Sequence, residues 1–340
     1  MSNEPIKSFY NSIQEYFSGI VLASWISGVS LWLSFHLSSV ILSPLLLSAV
    51  FGIFIRNTIG VPEESLPGVV FSAKKVLRIA VILLGLKISF YQISEIGMSG
   101  LVIVYFCSVS TFIFTCWLGR RFRIKRTLYQ LIASGTSICG ASAIIATNAA
   151  IDGSEEDVSY SITMVTFLGT VAMLVYPLTA NLLNLTPTIF GLWCGASIHE
   201  VAQVIAASFQ NSELSGEIAT VSKLARVILI IPLISILSFQ ESISRSKQTF
   251  QQTTSKFPWF ILLFAFLAVI NSFNIFPEEV LNPILMLNQA LLCMAMASMG
   301  LMTSFSSLVK IGIKPLYLAA ISWLYLGSIS FFLLKFFLVL

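Results

Sequence analysis

The side chains best suited to chemistry in this sequence stand in one short run inside an apolar stretch. His199 and Gln203 are four residues apart and would share one face of a helix, and Glu200 borders that face. A carboxylate at the centre of a bilayer costs about 2.5–3.5 kcal/mol on insertion scales, so it normally faces a partner or a path for water. Histidine titrates near neutral pH, which suits it to carry a proton. We therefore take His199 and Glu200 as candidate coupling residues.

The tetrapeptide Cys-Gly-Ala-Ser occurs twice, at residues 139–142 and 194–197. Each copy lies at the centre of an apolar stretch interrupted by Gly, Ser and Thr, a composition that favours a break in a membrane helix. A helix that restarts after such a break presents unpaired N–H groups and the positive end of its dipole, and nearby hydroxyls add donors. Two breaks of this kind predict an anion-binding site. The alternative for either motif is close helix packing through small residues.

The candidate substrate-binding residues surround the two motifs. They are Gly135, Thr136, Ser137, Gly140, Ser142, Asn148, Gly195, Ser197 and Gln203. Glu200 has an alternative role as the structural partner of a base in a predicted span. The bases considered for that role are Lys74, Lys75, Arg78 and Lys87. Two further bases, Lys223 and Arg226, we interpret as residues that open another span and extend towards its end.

The run from His199 to Gln203 approaches the H-E-x-x-H motif of zinc proteases but lacks its second histidine. Gln203 stands in that place, and the only other histidine of the sequence is His36. Without two histidines on one helix face the site lacks its metal. No P-loop or dinucleotide fingerprint occurs either. We therefore expect no enzyme, no metal and no cofactor.

The composition sets the class of protein. Of 340 residues, 56% are hydrophobic and 10% are charged, whereas a soluble domain carries about 25% charged residues. The charges are too few to cover a surface that faces water, so the chain is predicted to be an all-α polytopic membrane protein. A net charge of +4 is too small and scattered to indicate a nucleic-acid partner. Five cysteines without a C-x-x-C pair are read as small apolar packing residues.

Apolar stretches of about 20 residues are long enough to cross a bilayer. Nine read as continuous spans: 17–35, 38–55, 69–90, 100–118, 160–182, 223–239, 257–272, 284–308 and 315–338. Two more, 128–150 and 187–209, have the same length but carry the polar interruptions. The prediction is about eleven transmembrane helices in a single transmembrane domain, 1–340.

Positive charge predicts the orientation of these helices. The densest basic cluster spans residues 119–126, and Arg245, Lys247 and Lys256 form a second. Both are expected in the cytoplasm. Counting crossings from them places the N-terminus in the cytoplasm, and the C-terminus and the acidic loop 152–157 outside.

An internal repeat relates two of the spans. Residues 62–97 align with residues 277–312 without a gap and share 12 identities in 36 positions, including Pro-Glu-Glu at both starts. These segments form the third and tenth predicted spans, so seven crossings separate them and they are inverted, as in secondary transporters. The predicted organisation is a first repeat 17–127, a central broken-helix segment 128–222 and a second repeat 223–340. The alternative is that both are apolar helices with the same common type of start.

Residues 135–143 and 195–204, which contain the two motifs and the His-Glu pair, give the chain a resemblance to a known family. It resembles, over essentially its whole length, the YeiH-like (UPF0324) bacterial membrane proteins, to which sulfate export has been ascribed. The resemblance implies a bacterial inner-membrane location. It also implies a fold similar to the bile-acid-symporter-like carriers, with inverted repeats, crossed broken helices and a core that moves against a panel.

One expectation conflicts with that fold. If both interrupted stretches cross fully, two spans separate them and they run parallel, whereas inverted repeats require antiparallel helices. Either one stretch is re-entrant or the span count between 128 and 222 is wrong.

These observations predict a secondary transporter, an exporter, that moves a small anion by alternating access and couples it to protons. Sulfate, sulfite and an organosulfonate are the candidate substrates. The alternatives are an anion channel and a membrane sensor or assembly subunit that does not transport. The expected partners are a small anionic solute and the lipid bilayer, without nucleic acid, and a homodimer is left open.

Overall fold

A computed structural model describes residues 4–37, 43–88, 90–244, 259–273, 276–304 and 312–338. Within these residues the regular structure is helical and no strand occurs. The helices are α1 (Glu4–Leu37), α2 (Pro44–Thr58), α3 (Leu66–Phe71), α4 (Leu77–Leu84), α5 (Phe90–Arg121), α6 (Arg126–Ser134), α7 (Ala141–Ile151), α8 (Glu155–Leu182), α9 (Pro187–Ser197), α10 (Val201–Ser208), α11 (Glu213–Ile228), α12 (Ile230–Ser244), α13 (Trp259–Ser272), α14 (Glu278–Met302) and α15 (Ile313–Leu338).

The chain is a membrane protein by the length and apolar character of its helices. Six helices in the described residues can cross a bilayer: Glu15–His36, Gly97–Arg121, Glu155–Ala180, Glu213–Glu241, Glu278–Met302 and Ile313–Phe337. Shorter apolar helices cover Pro44–Thr58, Ala141–Ile151 and Trp259–Ser272, and α3 continues into α4 through a π-helical turn, Ser72–Val76. The predicted eleven full crossings are not confirmed, because two of them fold back as described below.

The chain divides into two compact units, and the first contains residues 1–90 and 259–306. Its helices approach closely where two glycines face each other. A Cβ atom on Gly300 would lie 2.3 Å from the carbonyl oxygen of Ala49, and one on Gly52 would lie 2.3 Å from that of Ala297. A side chain at either position would overlap the neighbouring backbone, so only glycine lets the backbones of α2 and α14 come into contact.

The two copies of the internal repeat meet in this unit. Val69 belongs to the same hydrophobic cluster as Ala297 and Leu301. Val76, two turns later in the first copy, clusters instead with Met294, which is earlier in the second. The copies therefore run antiparallel, as inversion of the repeat requires. Residues 89 and 305–311 of the alignment lie outside the described residues.

The second unit contains residues 91–258 and 307–340, and its first notable feature is a helical hairpin made of α6 and α7. A Cβ atom on Gly153, just after α7, would lie 3.4 Å from the Cβ of Thr127 at the start of α6. The hydroxyl of Thr127 donates to Asp157 at 2.8 Å. The segment thus begins and ends at the same place. Between its arms Gly140 reverses the chain with φ 69° and ψ −132°, a conformation that glycine adopts readily.

A second hairpin consists of α9 and α10. The chain is extended from Ile198 to Glu200 between the two helices. The hydroxyl of Ser215, in the first turn of α11, donates to the carbonyl of Pro187 at the start of α9 at 3.0 Å. Since α11 begins beside the start of α9, α10 has carried the chain back to the end from which α9 left.

We call α6–α7 hairpin 1 and α9–α10 hairpin 2, and their reversals, residues 136–140 and 198–200, the tips. The arms have 8 to 11 residues and reach roughly 12–17 Å, about half of a hydrocarbon core. Helix α8 has 28 residues, about 42 Å, and joins the two hairpins. Hairpin 1 and hairpin 2 therefore enter the second unit from opposite ends.

This arrangement corrects two predictions. Stretches 128–150 and 187–209 do not cross but are both re-entrant, so a hairpin followed by a crossing helix occurs twice with opposite direction, which removes the conflict over parallel helices. The acidic loop 152–157 lies at the same end as Lys125, whose ammonium contacts Asp157 at 2.7 Å, and not at the opposite end. The second basic cluster, with Arg245, Lys247 and Lys256, lies outside the described residues.

The hairpin can be tested by labelling single cysteines in membranes with an impermeant maleimide. We expect Ser154→Cys to react from the same side as Arg123→Cys, and Glu213→Cys from the other side. The five native cysteines are buried and unpaired, so they should contribute little background labelling. Labelling of Ser154→Cys and Arg123→Cys from opposite sides would contradict hairpin 1.

Candidate functional site

The tips of the two hairpins meet at a pair of buried bases on α11. The ammonium of Lys223 donates to the carbonyl of Ile138 in tip 1 and to that of Ile198 in tip 2, both at 2.7 Å. Its side chain is fully buried. One cation therefore ties together the points at which both hairpins reverse.

Arg226, one turn further along α11, makes the same connection with four carbonyls. Its guanidinium donates to Thr136 at 3.0 Å and Ser137 at 3.3 Å in hairpin 1. It also donates to Gly195 at 2.9 Å and Ile198 at 3.2 Å in hairpin 2. The residue is fully buried.

The physical reason for these bonds is that the last carbonyls of a helix lack partners within the helix and carry the negative end of its dipole. Both first arms, α6 with its π-helical turn Gly135–Cys139 and α9, end in the interior, where water cannot satisfy them. Among the described residues neither Lys223 nor Arg226 forms an ion pair. The carbonyls of both tips thus accept the N–H donors of these two basic side chains.

Glu200 lies on the other side of the reversal, at the start of the second arms. Its side chain accepts the backbone N–H of Gln203 and so caps α10. It also accepts the hydroxyl of Thr166 on α8 at 2.8 Å. A Cβ atom on Gly140 would lie 2.6 Å from the Cγ of Glu200. The carboxylate is therefore held at the tip of hairpin 1, next to the N-terminus of α7.

Gln203 fixes hairpin 2 against α8. Its amide nitrogen donates to the carbonyl of Thr166 at 2.9 Å and to the hydroxyl of Thr170 at 3.2 Å. Its amide oxygen accepts the N–H of Glu200 at 3.2 Å. Gly169 leaves the space for this amide, because a Cβ atom there would overlap it. Gln203 is thus a positioning residue for Glu200.

Several polar atoms at the tips are buried without a hydrogen-bond partner. They are the hydroxyls of Thr136, Ser137 and Ser222 and both ring nitrogens of His199. These are five of the eleven such atoms among the described residues, so they concentrate here. An unsatisfied buried polar group costs about 1–3 kcal/mol, and a cluster of them marks a place for water or a ligand.

The structure brings most of the predicted site residues together at the tips, but not all of them in the predicted role. Asn148 lies at the base of hairpin 1, where its amide oxygen accepts the N–H of Gly153 at 2.9 Å. Ser142 is in the first turn of α7 and is exposed. The hydroxyl of Ser197 donates back to the carbonyl of Trp193 within α9. Gly135 lets the arms of hairpin 1 touch at Ile144.

The two Cys-Gly-Ala-Ser motifs have different roles. Gly140 forms the reversal itself, whereas Gly195 is still helical and packs on α11. A Cβ atom on Gly195 would lie 2.6 Å from the carbonyl oxygen of Ala219. Gly191, one turn earlier, packs the same way against Ser215. The broken-helix interpretation therefore holds for the first glycine and the packing alternative for the second.

Sequence reasoning missed the importance of Lys223 and Arg226. It placed them at the start of a span, but α11 begins ten residues earlier, at Glu213, and buries both. The available signal was the polar stretch before residue 223, which contains good helix-forming residues and a Ser N-cap, Ser212, that accepts the N–H of Ser215 at 3.1 Å. Thr166 and Thr170 were also missed, although one turn separates them on one face of a predicted span.

A family model described as conserved hypothetical protein 698 matches residues 18–319. The chain belongs to the UPF0324 family. It is 33% identical over 337 residues to the UPF0324 inner membrane protein YeiH of Escherichia coli K12, covering 96% of this chain and 97% of the relative. A UPF0324 membrane protein of Corynebacterium glutamicum is 35% identical over 308 residues, covering 90% and 88%. These names describe membrane proteins and state no substrate.

Among the described residues this UPF0324 chain has no group of three or more His, Cys, Asp or Glu side chains that could hold a metal ion. The site consists instead of two cations, one carboxylate, one imidazole and several hydroxyls. Such a set can bind a small anion by charge and hydrogen bonds, and it can exchange a proton.

The role of Arg226 can be tested by thermal unfolding of purified protein in detergent. Arg226→Leu removes four hydrogen bonds and leaves the carbonyls of Thr136, Ser137 and Gly195 without this donor, while Ile198 keeps its bond from Lys223. Hydrogen bonds to a charged group contribute about 1.5–3 kcal/mol each. We expect a loss of at least 10 °C in the melting temperature, or failure to fold. Arg78→Leu removes an exposed base and is the matched control, with an expected change below 2 °C. Equal melting temperatures for both variants would contradict the assignment.

Proposed function

We propose that this chain is a secondary transporter of a small anion in the bacterial inner membrane and works by alternating access. The observation that carries the proposal is the burial of two basic side chains, Lys223 and Arg226, where two re-entrant hairpins from opposite ends meet. Ionisable residues buried at membrane depth are rare, pair with one another or with backbone carbonyls, and are typical of substrate and ion pathways. Inverted repeats with a central site are typical of carriers.

The anion would bind at the N-terminus of α7. Gly140 supplies no side-chain cap there, so an anion would accept from the first N–H groups of that helix, apart from that of Ala143, which is directed at the Cys139 side chain. The unsatisfied hydroxyls of Thr136 and Ser137 and the ring of His199 would complete the shell. The N-terminus of α10 is less suitable, because Glu200 already caps it. This favours one anion per chain.

Glu200 gives the proposal a mechanism for proton coupling. Its carboxylate lies against Gly140 at the start of α7, so it competes for the place that a substrate anion would take. Protonation removes that negative charge and the repulsion between the two anions. Lys223 and Cys139 are titratable groups that interact electrostatically with Glu200, and His199 precedes it in the chain. Anion and proton would then bind together.

The expected orientation has a cytoplasmic N-terminus. Arg120, Arg121, Arg123 and Lys125 form the basic end of the second unit, and positive loops remain in the cytoplasm. Four predicted crossings precede this end. The division of the chain into two units fits a bile-acid-symporter-like carrier, in which a core moves against a panel. Sulfate, sulfite and organosulfonates are the substrates to try first, and no enzymatic activity is proposed.

Transport is tested with proteoliposomes that contain the purified protein and a panel of labelled anions. We expect saturable uptake that an internal anion accelerates by exchange. Absence of flux for every anion, with a pH gradient in either direction, would refute the proposal. Single-channel currents would instead establish the alternative, an anion channel, and no flux with preserved binding would favour a sensor.

Binding by the unsatisfied hydroxyls can be separated from folding. Ser137→Ala removes a buried hydroxyl that has no partner, so its melting temperature should not fall, while apparent anion affinity should drop about tenfold, which is about 1.4 kcal/mol. Thr115→Ala removes an equally buried, unpartnered hydroxyl from α5 and should leave affinity unchanged. Equal affinity for both variants would move the site away from tip 1.

Glu200→Gln tests the coupling. The amide keeps the shape of the side chain but cannot change charge, so we expect anion exchange to persist while acceleration by a pH gradient disappears. His199→Gln is the comparison that separates the two candidate proton carriers. If Glu200→Gln responds to the gradient like the original protein, the competition mechanism is wrong.

A further inference from the structure

The second unit contains a groove that leads from its basic end to tip 1. Its volume is about 390 Å³, within the range of sites for small molecules. Arg120 and Gln240 line it at the basic end, and Ser137 and Ile138 line it at the tip. It therefore connects the first basic cluster of the sequence with the proposed anion site.

The walls of this groove are apolar along most of its length. They are formed by α5 and α12, with Phe112 on one side and Leu229, Leu233 and Leu237 on the other. An inorganic dianion such as sulfate gains nothing from such walls and loses its hydration against them. An alkyl or aryl group, in contrast, gains by leaving water.

Polar groups stand at the two ends of the groove. At the inner end Ser137 lines the groove, and its hydroxyl is buried without a hydrogen-bond partner. At the outer end Arg120 is exposed and forms no ion pair among the described residues. Ser108 and Gln130, both buried, also line the inner part. An anionic head group fits the inner end and an apolar tail fits the walls.

We propose that the groove is a specificity site for an organic anion with a short apolar tail, whose head group binds at Ser137. Arg120 attracts the anion to the mouth of the groove. This inference rests on the proposed function for its route, since the head group lies next to Lys223 and Arg226, but it adds a substrate class. Inorganic sulfate would be a poor ligand.

The test is a series of linear alkanesulfonates from methane- to hexanesulfonate, used as competitors of labelled anion uptake and, separately, as ligands in a thermal-shift assay. We expect affinity to rise about three- to fourfold for each added methylene until the tail fills the groove. Hexanesulfonate should bind at least 50-fold more tightly than sulfate.

Variants distinguish the groove from partition into lipid. Leu233→Asn should flatten the chain-length series and leave methanesulfonate unchanged, whereas Leu178→Asn, at an exposed position on α8 that does not line the groove, should keep the slope. Ser137→Ala should weaken every member of the series equally, because it contacts the head group.

The outcomes separate this inference from the proposed function. Uptake of sulfate with a flat alkanesulfonate series would overturn the organic-anion class and leave the transporter intact. A series weakened by Arg120→Ala but not by Ser137→Ala would mean that the head group binds at the mouth of the groove and the tail points inward, as expected for a lipid. That result would also overturn the inference. If no anion is transported, the thermal-shift series with the same variants still decides whether the groove binds.

Discussion

The binding of two buried cations to backbone carbonyls is the interaction on which the second unit depends. Two first arms end in the protein interior with their carbonyls unpaired, and Lys223 and Arg226 are the donors that satisfy them. Neither hairpin can place its tip at this depth without such donors, and neither base can be buried without such acceptors. The hairpins and α11 are therefore mutually required.

This mutual requirement also creates the functional asymmetry. Among the described residues both bases are held by neutral carbonyls and not by carboxylates. Glu200, a carboxylate at the tips, caps α10 and contacts α8. Two basic side chains and one carboxylate thus lie close together at the tips. In the proposed transporter an anion would compete with Glu200 for this place, and the apolar groove at tip 1 would select among anions.

Much of the site was visible in the sequence, and the reasons for the failures are physical. Hydropathy identified residues 128–150 and 187–209 as long enough to cross, but two arms of about ten residues have the same summed length as one crossing helix. Hydropathy therefore cannot distinguish a span from a hairpin. The position of the reversal was readable at Gly140, while Gly195, in an identical tetrapeptide, packs against α11 because the actual reversal follows three residues later.

By itself the sequence determined the membrane class, the all-helical character, the internal sequence repeat that starts at residues 62 and 277, and the polar run at His199–Gln203. These properties depend on local composition and spacing, which a single chain segment contains. Only the tertiary structure decided that both interrupted stretches are re-entrant. It also decided that Lys223 and Arg226, which look like ordinary bases near the end of a span, donate six hydrogen bonds to carbonyls of the two hairpins. The sequence of an apolar helix does not show whether a base in it extends to water or is buried. The partners of a buried base here are backbone carbonyls, which every residue type carries.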